Sequence, residues 1–218
     1  MALLNVQDLR TYYSILRGSV KAVDGVDFQV EKGEALGLAG ESGCGKTTIA
    51  LSILKILPLG GKVVGGKILF KDLDLVPLPD SEMRSKVRWK GISIVFQGAM
   101  NALNPVHKVG EQIVEAIRTH EPDISEDEAM KRTESLLETV GIDPSRANNY
   151  PHEFSGGMRQ RALIAMSVAC NPELLIADEP GTALDVIVAA QVLKLMKELK
   201  SRLNLSMILI THDLSIIA

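Results

Sequence analysis

The residues best suited to chemistry lie at positions 40–47, GESGCGKT, which fit the pattern G-x-x-x-x-G-K-[ST]. An apolar stretch that predicts a strand precedes them, and a segment that predicts a helix follows, as in loops that bind phosphate. Glycines let backbone N–H groups approach phosphate oxygens, and a helix N-terminus adds positive potential. The pattern therefore predicts a nucleotide site, with Lys46 at the β- and γ-phosphates and the Thr47 hydroxyl on Mg²⁺. A glycine turn with an incidental lysine is the plainer alternative.

The whole loop and the residue after it are expected to contact the nucleotide. These residues are Gly40, Glu41, Ser42, Gly43, Cys44, Gly45, Lys46, Thr47 and Thr48. The helix N-terminus could stabilise a thiolate at Cys44, in which case alkylation there would block nucleotide binding. An inert small side chain is the simpler interpretation of Cys44.

Two adjacent carboxylates, Asp178 and Glu179, follow the apolar residues 174–177. Those residues predict a buried strand, and ligands of open α/β sheets bind at the carboxyl ends of the strands. Because the same chain carries a phosphate loop, Asp178 is expected to hold Mg²⁺ and Glu179 to polarise an attacking water. Taken alone, the pair fits an exposed acidic turn equally well.

Ser155, Gly156 and Gly157 form a second candidate anion site shortly before that strand. A serine hydroxyl and two glycine amides at the start of a helix can contact phosphate oxygens. The alternative is an ordinary helix cap by Ser155, but a cap does not explain two glycines, which weaken a helix start.

The elements that must position these residues alternate between strand and helix. Residues 20–30, 34–39, 68–70 and 92–96 predict strands, and residues 47–57 predict a helix closed by proline and glycines. The middle of the chain, residues 109–170, is helical, with a capping box at Ser125 and Glu128. The last third is predicted to contain a strand at 174–177, a helix at 186–203 and a strand at 206–210. Such alternation predicts an α/β fold with a largely parallel sheet, interrupted by a helical insert.

The composition excludes several classes of protein. The 218 residues carry 24 Lys and Arg against 27 Asp and Glu, and this net charge of −3 argues against nucleic-acid binding over the whole surface but leaves a local basic patch open. No nucleic-acid partner is expected. The longest strongly apolar stretch, residues 162–170, is shorter than the roughly 18 residues that a membrane span needs, and no secretory signal is evident. Two unrelated cysteines and four scattered histidines fit neither a disulfide scaffold nor a zinc site.

Residues 154–161, FSGGMRQR, resemble the signature sequence of ATP-binding cassette (ABC) ATPases. The segments AVDGVDF, GESGCGKTT, FQGAMNALNP and ADEPGTALD are similar to those of the ATP-binding subunits of dipeptide, oligopeptide and nickel importers. The resemblance implies a P-loop NTPase fold of class α/β, with a mostly parallel sheet, an antiparallel N-terminal β subdomain and an inserted helical subdomain. It implies an ATP-binding core lobe at residues 1–97 and 171–218, a helical signature subdomain at 98–170, and a missing C-terminal part of the family's chain.

The same resemblance implies roles for residues that their spacing alone does not assign. Gln97 resembles the glutamine that contacts Mg²⁺ and water and forms a hinge to the helical insert. His212 resembles the histidine that hydrogen-bonds the γ-phosphate, and Asp185 ends the family's D-loop. Tyr13 resembles the aromatic residue that stacks on adenine, although Tyr12 lies beside it. The implied catalytic residues are Lys46, Gln97, Glu179 and His212, and the implied metal ligands are Thr47, Gln97 and Asp178.

The resemblance also implies partners and cofactors. ATP with Mg²⁺ is expected to lie between two cassettes, so that Ser155 of one chain serves the nucleotide of the other. The expected partners are a second ABC ATPase subunit, two transmembrane permease subunits and, indirectly, an extracytoplasmic solute-binding protein. The cassette pair is expected to be a heterodimer in the cell and a homodimer in isolation, peripheral on the cytoplasmic face of the membrane. Peptide, oligosaccharide and nickel all stay open as cargo.

Two other functions are the alternatives. A soluble ABC ATPase acting in translation or DNA repair would carry a fused second cassette or basic or coiled-coil arms, which this sequence does not show. A regulatory cassette that binds ATP without turnover predicts loss of Glu179 or His212, and both residues are present.

Overall fold

The computed structural model describes residues 2–98 and 102–213, which form two four-stranded sheets and the helices packed on them. The strands are β1 (Ala2–Ile15), β2 (Gly18–Glu31), β3 (Ala35–Ala39), β4 (Gly61–Phe70), β5 (Leu73–Asp74), β6 (Ile92–Val95), β7 (Leu174–Asp178) and β8 (Ser206–Thr211). The α-helices are α1 (Lys46–Leu54), α2 (Asp80–Glu82), α3 (Val109–His120), α4 (Glu126–Thr139), α5 (Gly156–Ser167) and α6 (Val186–Leu203). Short segments of π-helix (Met83–Val87) and 3₁₀-helix (Pro144–Asn148 and Pro151–Glu153) lie between them.

The first sheet is antiparallel, in the order β2-β1-β4-β5. Its central strand β1 is absent from the sequence-based prediction, because irregular pairing with β2 breaks its alternation of buried and exposed residues. Strand β4 starts at Gly61, seven residues before the predicted strand. The helix before it ends at Leu54, three residues earlier than predicted, because Lys55 adopts a left-handed conformation and donates its N–H to the last turn.

The second sheet is parallel, in the order β3-β8-β7-β6. Ala35 lies opposite Met207, Leu174 opposite Ser206, and Ile92 opposite Leu174. The four strands run in one direction, so their carboxyl ends meet at one edge of the sheet. An α/β fold with one antiparallel and one parallel sheet confirms the predicted class.

The middle of the chain is helical as predicted and contains the three α-helices α3, α4 and α5. The predicted capping box of α4 is confirmed: the Ser125 hydroxyl accepts the Glu128 N–H, and the Glu128 carboxylate accepts the Ser125 N–H. Helix α6 has the predicted bounds. None of the helices in residues 2–98 and 102–213 combines the length and apolar character needed to cross a membrane.

Two hydrophobic clusters cover opposite faces of the parallel sheet. Leu175 and Ala177 of β7 point into the cluster built with helices α3 to α6. Leu174 and Ile176 point into the other cluster, which contains α1 and the antiparallel sheet. This alternation is the period of two expected for a strand buried on both sides. The division into a core lobe (1–97 and 171–218) and a helical subdomain (98–170) stays a prediction, and Met1, 99–101 and 214–218 lie outside the described residues.

Candidate active site

The loop of residues 40–47 connects the carboxyl end of β3 to α1. Gly45 has φ 100°, and a Cβ there would collide with the backbone carbonyl of Ala22, so the turn requires glycine. The Lys46 side chain folds over the loop, and its Nζ donates to the carbonyls of Gly40 and Glu41, both at 2.7 Å. The loop therefore holds the Lys46 ammonium group against its own carbonyl oxygens. The positive charge lies within the loop that is predicted to bind phosphate.

Asp178, the last residue of β7, lies against the start of α1. Its Oδ2 accepts a hydrogen bond of 2.7 Å from the Thr47 hydroxyl, and the residue is only 1% exposed. Burial raises the pKa of this carboxyl, and the neighbouring Glu179 charge adds to the effect. Within the described part of the chain, its buried Oδ1 has no hydrogen-bond partner. A buried carboxylate oxygen without a donor, beside a threonine hydroxyl, fits a hard divalent cation such as Mg²⁺.

Glu179 follows directly and is held by several donors. Its backbone has φ 47°, and its N–H donates to the Ile210 carbonyl, which ties the turn to β8. Oε2 accepts hydrogen bonds from Gln97 Nε2 at 2.8 Å and from the Thr182 hydroxyl at 2.9 Å. Oε1 hydrogen-bonds His212 Nδ1 at 3.0 Å. Gln97, Glu179 and His212 thus meet at the carboxyl edge of the parallel sheet.

Two effects compete on the Glu179 carboxyl. Burial raises its pKa, whereas the hydrogen bonds from His212 and Thr182, together with the charges of His212 and Lys46, lower it. The second group of effects is the stronger, so the pKa lies below its ordinary value. Glu179 is therefore kept as a carboxylate, which is the form that can accept a proton.

Thr182 is a site residue that the sequence reasoning missed. Its N–H donates to the Glu179 carbonyl, which closes a tight turn and brings the hydroxyl back to the Glu179 carboxylate. The signal in the sequence is a hydroxyl residue three positions after Glu179, in a turn whose second residue is proline.

Ser155, Gly156 and Gly157 lie at the N-terminus of α5. The Ser155 hydroxyl accepts the Met158 N–H at 3.3 Å, so Ser155 does cap the helix. A Cβ at Gly157 would lie 2.6 Å from Cγ1 of Val188, which gives this glycine a packing role as well. In residues 2–98 and 102–213, no hydrogen bond joins this segment to the loop at 40–47.

Asp185 caps helix α6, since its Oδ1 accepts the Val188 N–H at 2.9 Å. Tyr13 and Tyr12 are clearly distinguished in the structure. The Tyr13 hydroxyl lies 3.5 Å from Thr48 Oγ1 on α1, whereas the Tyr12 hydroxyl donates to Asp24 at 2.6 Å, on the antiparallel sheet. Tyr13 is thus the aromatic residue beside the phosphate loop.

Comparison with known proteins gives a consistent result. The family model described as ABC transporter matches residues 23–182. A probable peptide ABC transporter ATP-binding protein of Sinorhizobium fredii and an oligopeptide transport ATP-binding protein of Bacillus subtilis are each 51% identical over 99% of this chain. The chain spans only 65% and 61%, respectively, of those two relatives.

Among solved structures, a dimeric ATP-binding cassette, MJ0796, in a post-hydrolysis state bound to ADP and Pi, is similar with a TM-score of 0.84. It is 27% identical, and the match covers 98% of this chain and 89% of the other. The family model matches well over half of the sequence. The chain therefore belongs to the ABC transporter family of ATP-binding proteins.

Proposed function

We propose that this protein binds ATP with Mg²⁺ and hydrolyses it to ADP and phosphate, as the ATP-binding subunit of a peptide importer. One observation carries the catalytic part: Glu179 is a carboxylate with a lowered pKa, adjacent to the Asp178–Thr47 pair and close to His212. The relatives' names, which refer to peptide transport, support the cargo class.

Each residue has a role in this reaction. Glu179 accepts the proton of a water molecule as its oxygen attacks the γ-phosphorus, and the bond from that phosphorus to the β,γ-bridging oxygen breaks. Lys46 neutralises charge on the β- and γ-phosphates. Gln97 and His212 hydrogen-bond Glu179 in this structure. In the proposed reaction Gln97 would contact Mg²⁺ and the water, and His212 would hydrogen-bond the γ-phosphate.

The residues that would hold Mg²⁺ are Thr47, Asp178 and Gln97, and the unpartnered Oδ1 of Asp178 supports this assignment. The ion supplies charge neutralisation to the phosphates. Tyr13 would stack on adenine, and the loop at 40–48 would contact the phosphates. Ser155, Gly156, Gly157 and Asp185 would act across a dimer, on the nucleotide held by the second cassette.

We further propose the assembly that these roles require. A second ABC ATPase subunit completes the site, as a heterodimer in the cell and a homodimer in isolation. Two transmembrane permease subunits and an extracytoplasmic solute-binding protein complete the importer, so that the protein lies peripherally on the cytoplasmic face of the membrane. The cargo is a peptide, and no nucleic acid takes part.

Light scattering of Glu179→Gln with and without Mg-ATP tests the proposal. Removing the base should trap ATP between two chains, so the molar mass is expected to double with ATP, because a ligand bound across an interface stabilises the assembly. Adding Ser155→Arg should abolish the dimer, whereas Ser135→Arg, on the exposed side of α4, should leave it intact. ATP binding without a dimer would refute the two-chain site, and absence of ATP binding would refute the nucleotide assignment.

A further inference from the structure

Two hydroxyl side chains, Thr11 on β1 and Ser52 on α1, are fully buried in the cluster that contains the antiparallel sheet. Thr11 Oγ1 and Ser52 Oγ lie 2.8 Å apart and hydrogen-bond each other. Buried hydroxyls are unfavourable among apolar side chains unless they are paired, so each one restrains the position of the other. None of the catalytic or metal-binding roles proposed above uses this pair.

The hydrogen bonds have a defined direction. Ser52 Oγ lies 2.6 Å from the Thr48 carbonyl, to which it donates its only proton. The Thr11 hydroxyl must therefore be the donor to Ser52. A chain of hydrogen bonds thus runs from β1 through Ser52 to Thr48, in the first turn of the helix that also carries Lys46.

A second contact between β1 and α1 matches this one. Thr11 and Tyr13 are two residues apart on β1 and so lie on one side of the strand, whereas Thr48 and Ser52 are four apart and share one face of α1. Thr11 contacts Ser52, and the Tyr13 hydroxyl lies 3.5 Å from Thr48 Oγ1. The Tyr13 ring also packs on Gly61, where a Cβ would lie 2.7 Å from its Cε1.

We propose that the Thr11–Ser52 hydrogen bond is a positioning contact, which fixes Tyr13 relative to the phosphate-binding turn of α1. The inference rests on the proposed ATP binding and extends it. Through this contact the base and the phosphates of a nucleotide are bound at a fixed separation. Tripolyphosphate has the same anionic chain but no base, so its binding does not depend on the contact.

Calorimetric titration of the protein with ATP and with tripolyphosphate, both with Mg²⁺, tests this. Thr11→Val keeps the shape of the side chain, and Ser52 can still donate to Thr48. We expect the Kd for ATP to rise about fivefold, as for the loss of one hydrogen bond, and the Kd for tripolyphosphate to stay unchanged. The conservative control Thr11→Ser keeps the hydroxyl and should bind ATP as the wild type does.

A second variant and a double-mutant cycle separate positioning from general destabilisation. Gly61→Ala, whose Cβ would displace the Tyr13 ring, should also weaken the binding of ATP and leave that of tripolyphosphate unchanged. In a Tyr13→Ala background, Thr11→Val should cause no further loss, because its effect acts through Tyr13. The proposal would be overturned if Thr11→Val weakened the binding of ATP and of tripolyphosphate equally. Additive effects of Tyr13→Ala and Thr11→Val on ATP binding would also overturn it. A wild-type protein that binds neither ligand would instead refute the proposed function itself.

Discussion

Asp178 and Glu179 are neighbours in the chain but have opposite electrostatic environments. Burial raises the pKa of Asp178, whereas hydrogen bonds from His212 and Thr182 overcome burial and lower the pKa of Glu179. Environments that shift two carboxyls in opposite directions are typical of sites in which the two have different tasks. The difference here fits a metal ligand followed by a base.

The Asp178→Asn variant tests whether Asp178 is a metal ligand. The pKa of Asp178 is higher in the folded protein than in the unfolded chain, so the folded protein binds this proton more tightly. The stability that the protonated carboxyl contributes is therefore lost as the pH rises from the unfolded pKa through the folded pKa. Without metal, the asparagine variant is therefore expected to melt at a higher temperature than the wild type at neutral pH. With Mg-ATP the order should reverse, because only the wild type gains the stabilisation that comes from metal binding.

Thermal unfolding in EDTA and in Mg-ATP makes the comparison, and Asp123→Asn, at an exposed carboxylate, is the control. Equal stabilisation of Asp178→Asn and the wild type by Mg-ATP would contradict the assignment.

The acidic pair and the phosphate loop could be predicted because adjacent residues carry the whole pattern. The Thr182 hydrogen bond could not, since it depends on the left-handed conformation of Glu179 and on the turn that follows.

At the scale of elements, the starts of helices were more predictable than the strands of the antiparallel sheet. Ser125 and Glu128 identify the start of α4 from the sequence alone, because the cap forms between residues three apart. Strand β1 depends instead on pairing with both β2 and β4, at positions remote in sequence and with irregular register. Its polar and apolar residues do not alternate strictly, so no local pattern identified it.

A substitution at Gly157 tests whether the contact between α5 and α6 requires glycine at this position. Gly157→Ala should lower the free energy of unfolding by about 1–3 kcal/mol, because the new Cβ would press on Val188. Adding Val188→Ala removes the obstructing methyl group and should restore most of the stability, as followed by urea denaturation. Val186→Ala, at a highly exposed position, is the matched control and should restore nothing.

The same pair of substitutions separates packing from phosphate binding. In the Glu179→Gln background, the ATP-dependent dimer should stay absent in Gly157→Ala with Val188→Ala, because the proposed phosphate contact uses the bare backbone of Gly157 whether or not Val188 is shortened. If Gly157→Ala with Val188→Ala regained both the stability and the ATP-dependent dimer, the role of Gly157 would be packing against Val188 and not phosphate binding.

At the scale of the whole molecule, one parallel sheet joins the two hydrophobic clusters. Successive residues of β7 alternate between them, with Leu175 in the helical cluster and Ile176 in the cluster that contains α1. Each side therefore loses part of its core if the sheet unfolds. This shared sheet predicts that the chain unfolds in one cooperative transition, even though the helical segment was predicted to form a subdomain of its own.

Leu175→Ala and Ile176→Ala test that prediction, since both residues are fully buried and adjacent, but face different clusters. Each change should lower the free energy of unfolding by about 2–5 kcal/mol, whereas Leu203→Ala, at a partly exposed helix end, should cost much less. Urea denaturation should be followed by circular dichroism and by the fluorescence of Trp89, the single tryptophan. Both variants should shift both signals to the same lower midpoint, because loss of either face weakens the sheet that the two clusters share. Trp89 stacks on His120 of α3, so its fluorescence reports on the contact between the two parts of the chain. A Leu175→Ala variant in which the two signals gave different midpoints would mean that the two sides unfold independently.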